Sequence, residues 1–162
     1  MIRFATSADV GLILDFIRGL AEYEKLSHCV VATEEILLES LFGSRPAAEA
    51  LLAFVNDEAV GIALFFESFS TFRGRRGMYL EDLFVHPPHR GKGYGKALFR
   101  RLAAIALERE YCRLDWAVLD WNEPAIRFYA SLGAIRMDEW TVNRLEIPAL
   151  QRLVAQEKPE GA

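Results

Sequence analysis

Residues 79–102 read YLEDLFVHPPHRGKGYGKALFRRL, and the fold turns on how this stretch divides. Tyr79–Val85 is an apolar run carrying two acids, of a length that suits a strand. The prolines of the following HPPH stop it, because proline has no amide hydrogen to give to a ladder. Residues 90–95 then place three glycines at alternate positions, interleaved with Lys92 and Tyr94 and flanked by Arg90 and Lys96. Beyond them Leu98, Leu102, Ile105 and Ala106 recur at helical spacing. A strand, a bare basic loop and a helix in that order form a setting for an anion. Successive N–H groups and the helix dipole attract it, and the missing Cβ atoms let it approach the main chain.

Working outward, residues 2–5 form a short first strand. A helix follows over TSADVGLILDFIRGLAEYE, with Thr6 or Ser7 as cap, Asp9 at its positive end, and Val10, Ile13, Leu14, Ile17, Leu20 and Ala21 on one face. TEEILLESLF is a second helix, capped by Thr33 and ended by Gly43. ALLAFVN and AVGIALFFESFS, joined by NDE, read as an antiparallel hairpin. RGRRG is a charged turn into the strand of the opening stretch. After the glycine loop and its helix come a strand over CRLDWAVLD and a helix over NEPAIRFYASLG. This last has Asn122 as N-cap, Pro124 in the first turn and Gly133 past the end. WTVNRLEI reads as a final strand and PALQRLVAQ as a short helix, with a loose tail QEKPEGA. Antiparallel strands leading into a β–α–β unit call for an α/β mixed sheet with helices on its faces.

The 162 residues suit a single domain over 1–162, and 52% hydrophobic against 26% charged residues supply a core. The net charge of −4 disfavours a general nucleic-acid binder, whose basic surplus is usually spread over a face. Here the basic residues gather at one loop, which suggests one specific anionic ligand. Cys29 and Cys112 show no metal spacing, so no metal is expected, and both read as reduced, buried thiols. No signal-peptide pattern opens the chain and no apolar run approaches the roughly 20 residues that span a bilayer. The expected setting is cytoplasmic, with no membrane partner.

Three phosphate loops compete for RGKGYG. The nucleotide P-loop needs GxxxxGK and then Ser or Thr, but Gly91 to Gly95 is one residue short and Ala97 stands where the hydroxyl should be. The dinucleotide fingerprint GxGxxG opens a parallel βαβ unit, whereas the spacing here is GxGxG after strands that look antiparallel. A tight turn with solvated lysines is the alternative the loop alone leaves open.

The flanks carry a resemblance. YLEDLFVHPPHRGKGYGKALFRRL resembles the central motif of the GCN5-related N-acetyltransferases, in which Arg/Gln-x-x-Gly-x-Gly/Ala cradles the pyrophosphate of acetyl-CoA; Arg90, Gly93 and Gly95 occupy its fixed positions. WNEPAIRFYASLGA and ATSADVGLILDFIRGLAEYE resemble the family's following motif and first helix. Within the family, LAEYEKL, YLEDLFV and WNEPAIRFY are most similar to the spermidine/spermine, or diamine, acetyltransferase branch. The resemblance implies a mostly antiparallel twisted sheet with one splayed parallel pair, a homodimer, and acetyl-CoA as the cofactor. Its contacts would come from Leu83, Phe84 and Val85, from Arg90, Gly91, Lys92, Gly93, Tyr94, Gly95 and Lys96, and from Asn122, Pro124, Ala125 and Tyr129.

Acetyl transfer from a thioester to an amine requires a neutral amine, a polarised carbonyl, a stabilised thiolate and two substrates held together. The resemblance makes Tyr129 the acid, whose phenol titrates near 10, close to an alkyl thiol. Tyr129 could otherwise be a core aromatic. Glu81 and Asp82 are expensive in an apolar strand without a partner or a cavity, and one should point to each face. The resemblance gives Glu81 the amine and its proton, against an ion pair with Arg76. Tyr23, Glu24, Asp82, Asp115, Trp116 and Ala117 match substrate-lining positions. Trp140 and Thr141 stand where the animal polyamine enzymes carry paired glutamates, so a long polyamine's distal charge lacks that partner; the acceptor implied is a diamine, polyamine or lysine-like amine, with shorter amines and amino-acid side-chain amines brought into play. The function implied is N-acetylation of a small-molecule primary amine within a ternary complex. Protein N-acetylation and a CoA-binding module without turnover are the alternatives.

Overall fold

The computed structural model describes residues 1–155; the expected loose tail lies outside them. The chain forms two compact units, Met1–Ala117 and a second from Val118 onward.

The first unit is built on a five-stranded sheet. Strand β1 (Ile2–Phe4), helix α1 (Val10–Tyr23) and helix α2 (Glu34–Phe42) precede β2 (Glu49–Val55), β3 (Glu58–Ser70) and β4 (Arg75–Val85); α3 (Tyr94–Glu108) and β5 (Leu114–Trp116) complete it. Spatial and sequential order coincide, β1 to β5. The first four strands are antiparallel neighbours, and β4 pairs with β5 in parallel, as a mixed sheet requires. Asn56 and Asp57 both take positive φ, 47° and 64°. They close the β2–β3 hairpin as the two central residues of a turn whose twist matches the strands.

The sheet is covered on both faces. Val10, Ile13, Leu14 and Phe16 of α1 and Leu37 and Leu41 of α2 pack with Leu52, Ile62, Leu64 and Phe84. Leu51, Ala63, Phe65 and Leu80 alternate with that set along the strands. They are buried with Leu98, Leu102 and Ile105 of α3, and a Cβ built on Gly61 would meet Leu98. Burial of an apolar helix stripe on a pleated face is what the 3.6- and 2-residue periods dictate.

Helix ends follow their local chemistry. The Thr33 hydroxyl accepts from the Ile36 amide at 3.3 Å. Thr6 caps a single 3₁₀ turn, Ser7–Asp9, ahead of α1. Helix α1 ends with Lys25 at φ 62°, the Leu26 amide donating to Ala21 O at 2.7 Å and Lys25 to Glu22 O at 3.1 Å. These are the two bonds of a Schellman cap, and they fix the direction of the Tyr23–Glu24 helix end.

The second unit contains α4 (Glu123–Ser131) and α5 (Ile147–Ala155). Asn122 Oδ1 accepts from the Ala125 amide at 3.3 Å, Pro124 lies in the first turn, and Gly133 ends the helix at φ 86°.

Several expectations are corrected. Residues 140–146 have no regular structure and α5 begins at Ile147. The alternation of WTVNRLEI provides a face, but a strand also needs a neighbour for its amides and carbonyls. Among the described residues this segment pairs with none. The strand expected over CRLDWAVLD shrinks to Leu114–Trp116, because β4 pairs with it only from Met78 to Leu80. Arg75, Arg76 and Gly77 belong to β4, leaving the turn to 71–74. Cys29 is exposed and Cys112 half-buried, both free thiols; Cys29 ends a single 3₁₀ turn, Ser27–Cys29, and Cys112 lies in the loop before β5, so neither is on the apolar stripe of a helix or strand.

Candidate active site

The site is organised by one irregularity in β4. Ala63 pairs with Leu83 and Leu64 with Asp82, but Phe65 pairs with Leu80. Glu81 is therefore an extra residue, a β-bulge, and it reverses the phase of the strand. Leu80 faces α3 with Phe65, whereas Asp82 and Phe84 face α1 with Leu64 and Ile62. Simple alternation would have put Leu80 and Asp82 on one face. The bulge leaves Glu81 exposed and delivers Asp82 to the α1 side, where Glu24 ends the helix.

The electrostatics record this gathering. The Asp82 carboxyl is pushed up to about 6, first by burial and then by the negative charges of Glu81 and Glu24. Burial also raises Glu24. Two partly desolvated carboxyls, Glu24 and Asp82, with the exposed Glu81 as a charged neighbour, thus concentrate negative charge in one region, an arrangement that favours a bound cation. The ion pair of Glu81 with Arg76 does not form: Arg76 Nε lies 3.3 Å from Glu67, and Glu81 has no ion pair among the described residues.

Asp115, Trp116 and Ala117 follow from the β4–β5 pairing, which aligns Tyr79 with Asp115 and Leu80 with Trp116. Arg113 Nε, just before the strand, already pairs with Asp115 at 2.6 Å. The Trp116 ring stands edge-on to Phe99, centroids 5.2 Å apart. Tyr79 is a further candidate, one the sequence reading passed over. Burial raises its phenol, with Glu81 and Asp115 adding to the shift. Its place two residues before Glu81 was the available signal, obscured because strand alternation ignores the bulge. Pairing with β5 ends at Leu80, while β4 runs on through Leu83, Phe84 and Val85. Among the described residues of the first unit β5 has no pairing with this part of β4, as a pair that splays beyond Leu80 would require.

The glycine loop lies at the far end of β4. Gly91 and Gly93 take φ of 74° and 88°, conformations that favour glycine, and a Cβ at either would meet nothing within 4 Å. Gly93 is the N-cap of α3, so the first amides of the helix, from Tyr94, Gly95 and Lys96, have no intrahelical acceptor. That first turn carries no acid, although a helix N-terminus favours one; Lys96 stands there, with Lys92 and Arg90 before it. Free amides, open approach and surplus positive charge fit a phosphate or pyrophosphate group.

In the second unit, α4 carries Pro124, Ala125 and Tyr129, with Asn122 as its N-cap. The Tyr129 carbonyl accepts from the Ala134 amide at 3.2 Å in the helix's terminal cap, and its ring lies 5.4 Å from that of Phe128. Among the described residues no group of three or more His, Cys, Asp or Glu could hold a metal ion, and no helix is long and apolar enough to cross a membrane.

This fold and site define a class. The family model of the acetyltransferase (GNAT) family matches residues 18–134, and the chain belongs to that family of N-acetyltransferases. Similar proteins sharpen the placement. The thialysine N-epsilon-acetyltransferase of Bos taurus is 40% identical over 94% of this chain and 96% of its own. The L-ornithine N5-acetyltransferase of Arabidopsis thaliana is 33% identical over 94% and 86%. The spermidine/spermine N(1)-acetyltransferase-like protein 1 of Homo sapiens is 32% identical over 83% of this chain and 20% of its own, in keeping with the diamine-branch resemblance. Among solved structures, an integron cassette protein of V. cholerae superposes with a TM-score of 0.78 at 28% identity, covering 96% and 98% of the two chains.

Proposed function

We propose that this protein transfers the acetyl group of acetyl-CoA to the side-chain amine of a small amino acid or a short diamine. The observation that carries the reading is the meeting, within one unit, of a cation-attracting carboxylate group (Glu24, Glu81, Asp82) and an anion-binding loop (Arg90 to Lys96). An ammonium-bearing acceptor and a phosphate-bearing donor call for that combination.

Acetyl-CoA, when bound, supplies an activated thioester acyl group. The residues fitted to hold it are Arg90, Gly91, Lys92, Gly93, Tyr94, Gly95 and Lys96 at its phosphates and the open β4 edge at Leu83, Phe84 and Val85. Asn122, Pro124 and Ala125 are assigned to it by the family likeness. Glu81 orients the ammonium and takes its proton, directly or through water, while Glu24 and Asp82 raise the local concentration of cations. Tyr23, Asp115, Trp116 and Ala117 line the acceptor. Tyr129 Oη donates the proton that the departing sulfur needs, a transfer between groups of nearly matched acidity. Both substrates are held together, so attack is direct.

Two relatives bear names that place the acetyl group on a side-chain nitrogen, of thialysine and of ornithine. Trp140 and Thr141, in place of paired glutamates, agree with an acceptor lacking a distal cationic arm. The test is thiol release from acetyl-CoA over ornithine, lysine, thialysine, diamines, polyamines and aminoglycosides. Turnover is expected to be best with the amino acids. Stabilisation by acetyl-CoA without thiol release from any amine would replace the enzyme reading by a binding module.

The reading extends to one functional domain over 1–162, supported by a family match that runs across both units. It also extends to a cytoplasmic setting and a homodimer. Sedimentation at micromolar concentration showing only an 18.4 kDa species would remove the dimer.

A further inference from the structure

Arg90 is held from two sides. Its Nε donates to Val85 O at 2.9 Å, and its guanidinium carbon lies 4.5 Å from the centroid of the Tyr23 ring and 5.3 Å from that of Phe84. A guanidinium has five N–H donors in a fixed plane. The Val85 carbonyl takes one, and the Tyr23 and Phe84 rings meet the charged group at cation–π distance. The donors on the two terminal nitrogens have no protein acceptor among the described residues. Arg90 is otherwise exposed, and an exposed arginine samples many rotamers that binding must freeze. A plane fixed by rings and a carbonyl is already oriented as a fork for a planar or tetrahedral oxyanion.

Tyr23 comes from another element, the last residue of α1, and the Schellman cap at Lys25 and Leu26 sets where that helix end sits. The function proposed above uses Tyr23 on the acceptor side only. We infer that the Tyr23 ring is also a positioning residue of the coenzyme's phosphate site, acting through Arg90. It holds the guanidinium beside the glycine loop, so that one aromatic ring serves both substrates. The inference rests on the reading of residues 90–96 as the anchor of acetyl-CoA. It assigns Tyr23 a role that loop-centred reasoning does not reach.

The role separates the ring from its hydroxyl. Phenylalanine keeps the π face and loses only Oη; leucine or methionine fills similar space without a face. The experiment titrates free CoA, with no amine and no turnover, calorimetrically into the full chain and its variants. Tyr23→Phe should bind CoA within about twofold of the wild type. Tyr23→Leu should weaken CoA by about two- to fivefold, the worth of an exposed cation–π contact. Tyr23→Met, should the leucine variant not fold, should do the same. In an Arg90→Ala background, Tyr23→Leu should add nothing, since the pair acts as a unit.

Equal CoA affinity of wild type and both ringless variants overturns the inference, as does a Tyr23→Leu effect that persists undiminished beside Arg90→Ala. If Arg90→Ala weakens CoA while Tyr23→Leu does not, the inference alone fails and the loop's assignment stands. If the wild type binds no CoA, the cofactor reading fails and this inference with it.

Discussion

The Asp82 carboxyl stands within the electrostatic field of Glu24, a residue that precedes the β2–β3 hairpin in the chain whereas Asp82 follows it. The bulge at Glu81 brings this about, by turning Asp82 toward α1. Burial and two neighbouring negative charges then oppose its ionisation, and a proton is retained there up to about pH 6. A bound ammonium would reverse the balance, supplying the counter-charge that the fold withholds. Amine binding at about pH 5 to 6 should therefore be accompanied by proton release, which fades as the pH rises past about 7.

The same shift has a signature in stability. The folded carboxyl titrates at about 6, above its ordinary value of 3.8, so the fold favours the protonated form. That contribution is complete below about pH 4 and is lost as the pH rises through 6. Asp82→Asn mimics the protonated state and should melt above the wild type at pH 7.5, by up to about 3 kcal/mol, with the difference closing toward pH 4. Thermal melts of both proteins at half-unit steps from pH 4 to 8 check this. A gap that does not change with pH would show that Asp82 ionises normally.

Much of the fold was legible because it rests on local rules. The hairpin at Asn56–Asp57, the caps at Thr33 and Asn122, and the stripe Leu98–Leu102–Ile105–Ala106 each follow from period and capping alone. The acid cluster was legible only in part. Glu24, Glu81 and Asp82 could be named, but the bulge that groups them is a pairing irregularity between β3 and β4, and no single strand encodes it. Arg76 illustrates the same limit: sequence proximity suggested Glu81, while register placed it beside Glu67. Trp140–Glu146 failed for a related reason, since alternation describes a strand's faces and not the neighbour that makes it one.

Asp9 should behave oppositely to Asp82. Arg3 Nη1 and Nη2 donate to its two oxygens at 2.7 and 2.8 Å, and the Thr6 amide and hydroxyl donate to Oδ2 at 2.7 and 2.9 Å. These bonds, the Arg3 pair foremost, hold its carboxyl well below the usual carboxylate range. The stabilisation is present above the ordinary value near 4 and is lost as the pH falls below it. Asp9→Asn should cost about 2 kcal/mol at pH 7, as charge-assisted bonds to a buried acceptor are lost. Urea titrations at pH 7 and pH 3 test it, with the cost of the substitution shrinking at the lower pH.

Gly93→Ala isolates the loop. At φ 88° an alanine is strained by about 1–2 kcal/mol, yet its Cβ would meet no protein atom within 4 Å. The stability loss should therefore be backbone strain alone, and the methyl should occupy the open approach to the amides. Gly74, at φ 60° with the same open surroundings, lies in the β3–β4 turn and provides the control. Both alanine variants should melt lower, but only Gly93→Ala should weaken CoA in a calorimetric titration. Equal CoA affinity in the two would remove the loop from the cofactor site.

Tyr129→Phe tests the proposed chemistry with the loss of one oxygen. Helix α4 spans only Glu123–Ser131, too short to persist without support. Asn122 caps one end and the Gly133 turn closes the other. Melting temperature, recorded beside kcat, separates a structural role of the hydroxyl from a chemical one. If Oη delivers the proton required by the departing sulfur, kcat should fall by about 10²–10⁴. Affinity for CoA, measured by calorimetry, should stay within about twofold, because the phosphate loop and the β4 edge are untouched. A fall confined to CoA affinity would make Tyr129 a binding residue, and an unchanged kcat would move the proton donor to another group, with Tyr79 the first to examine.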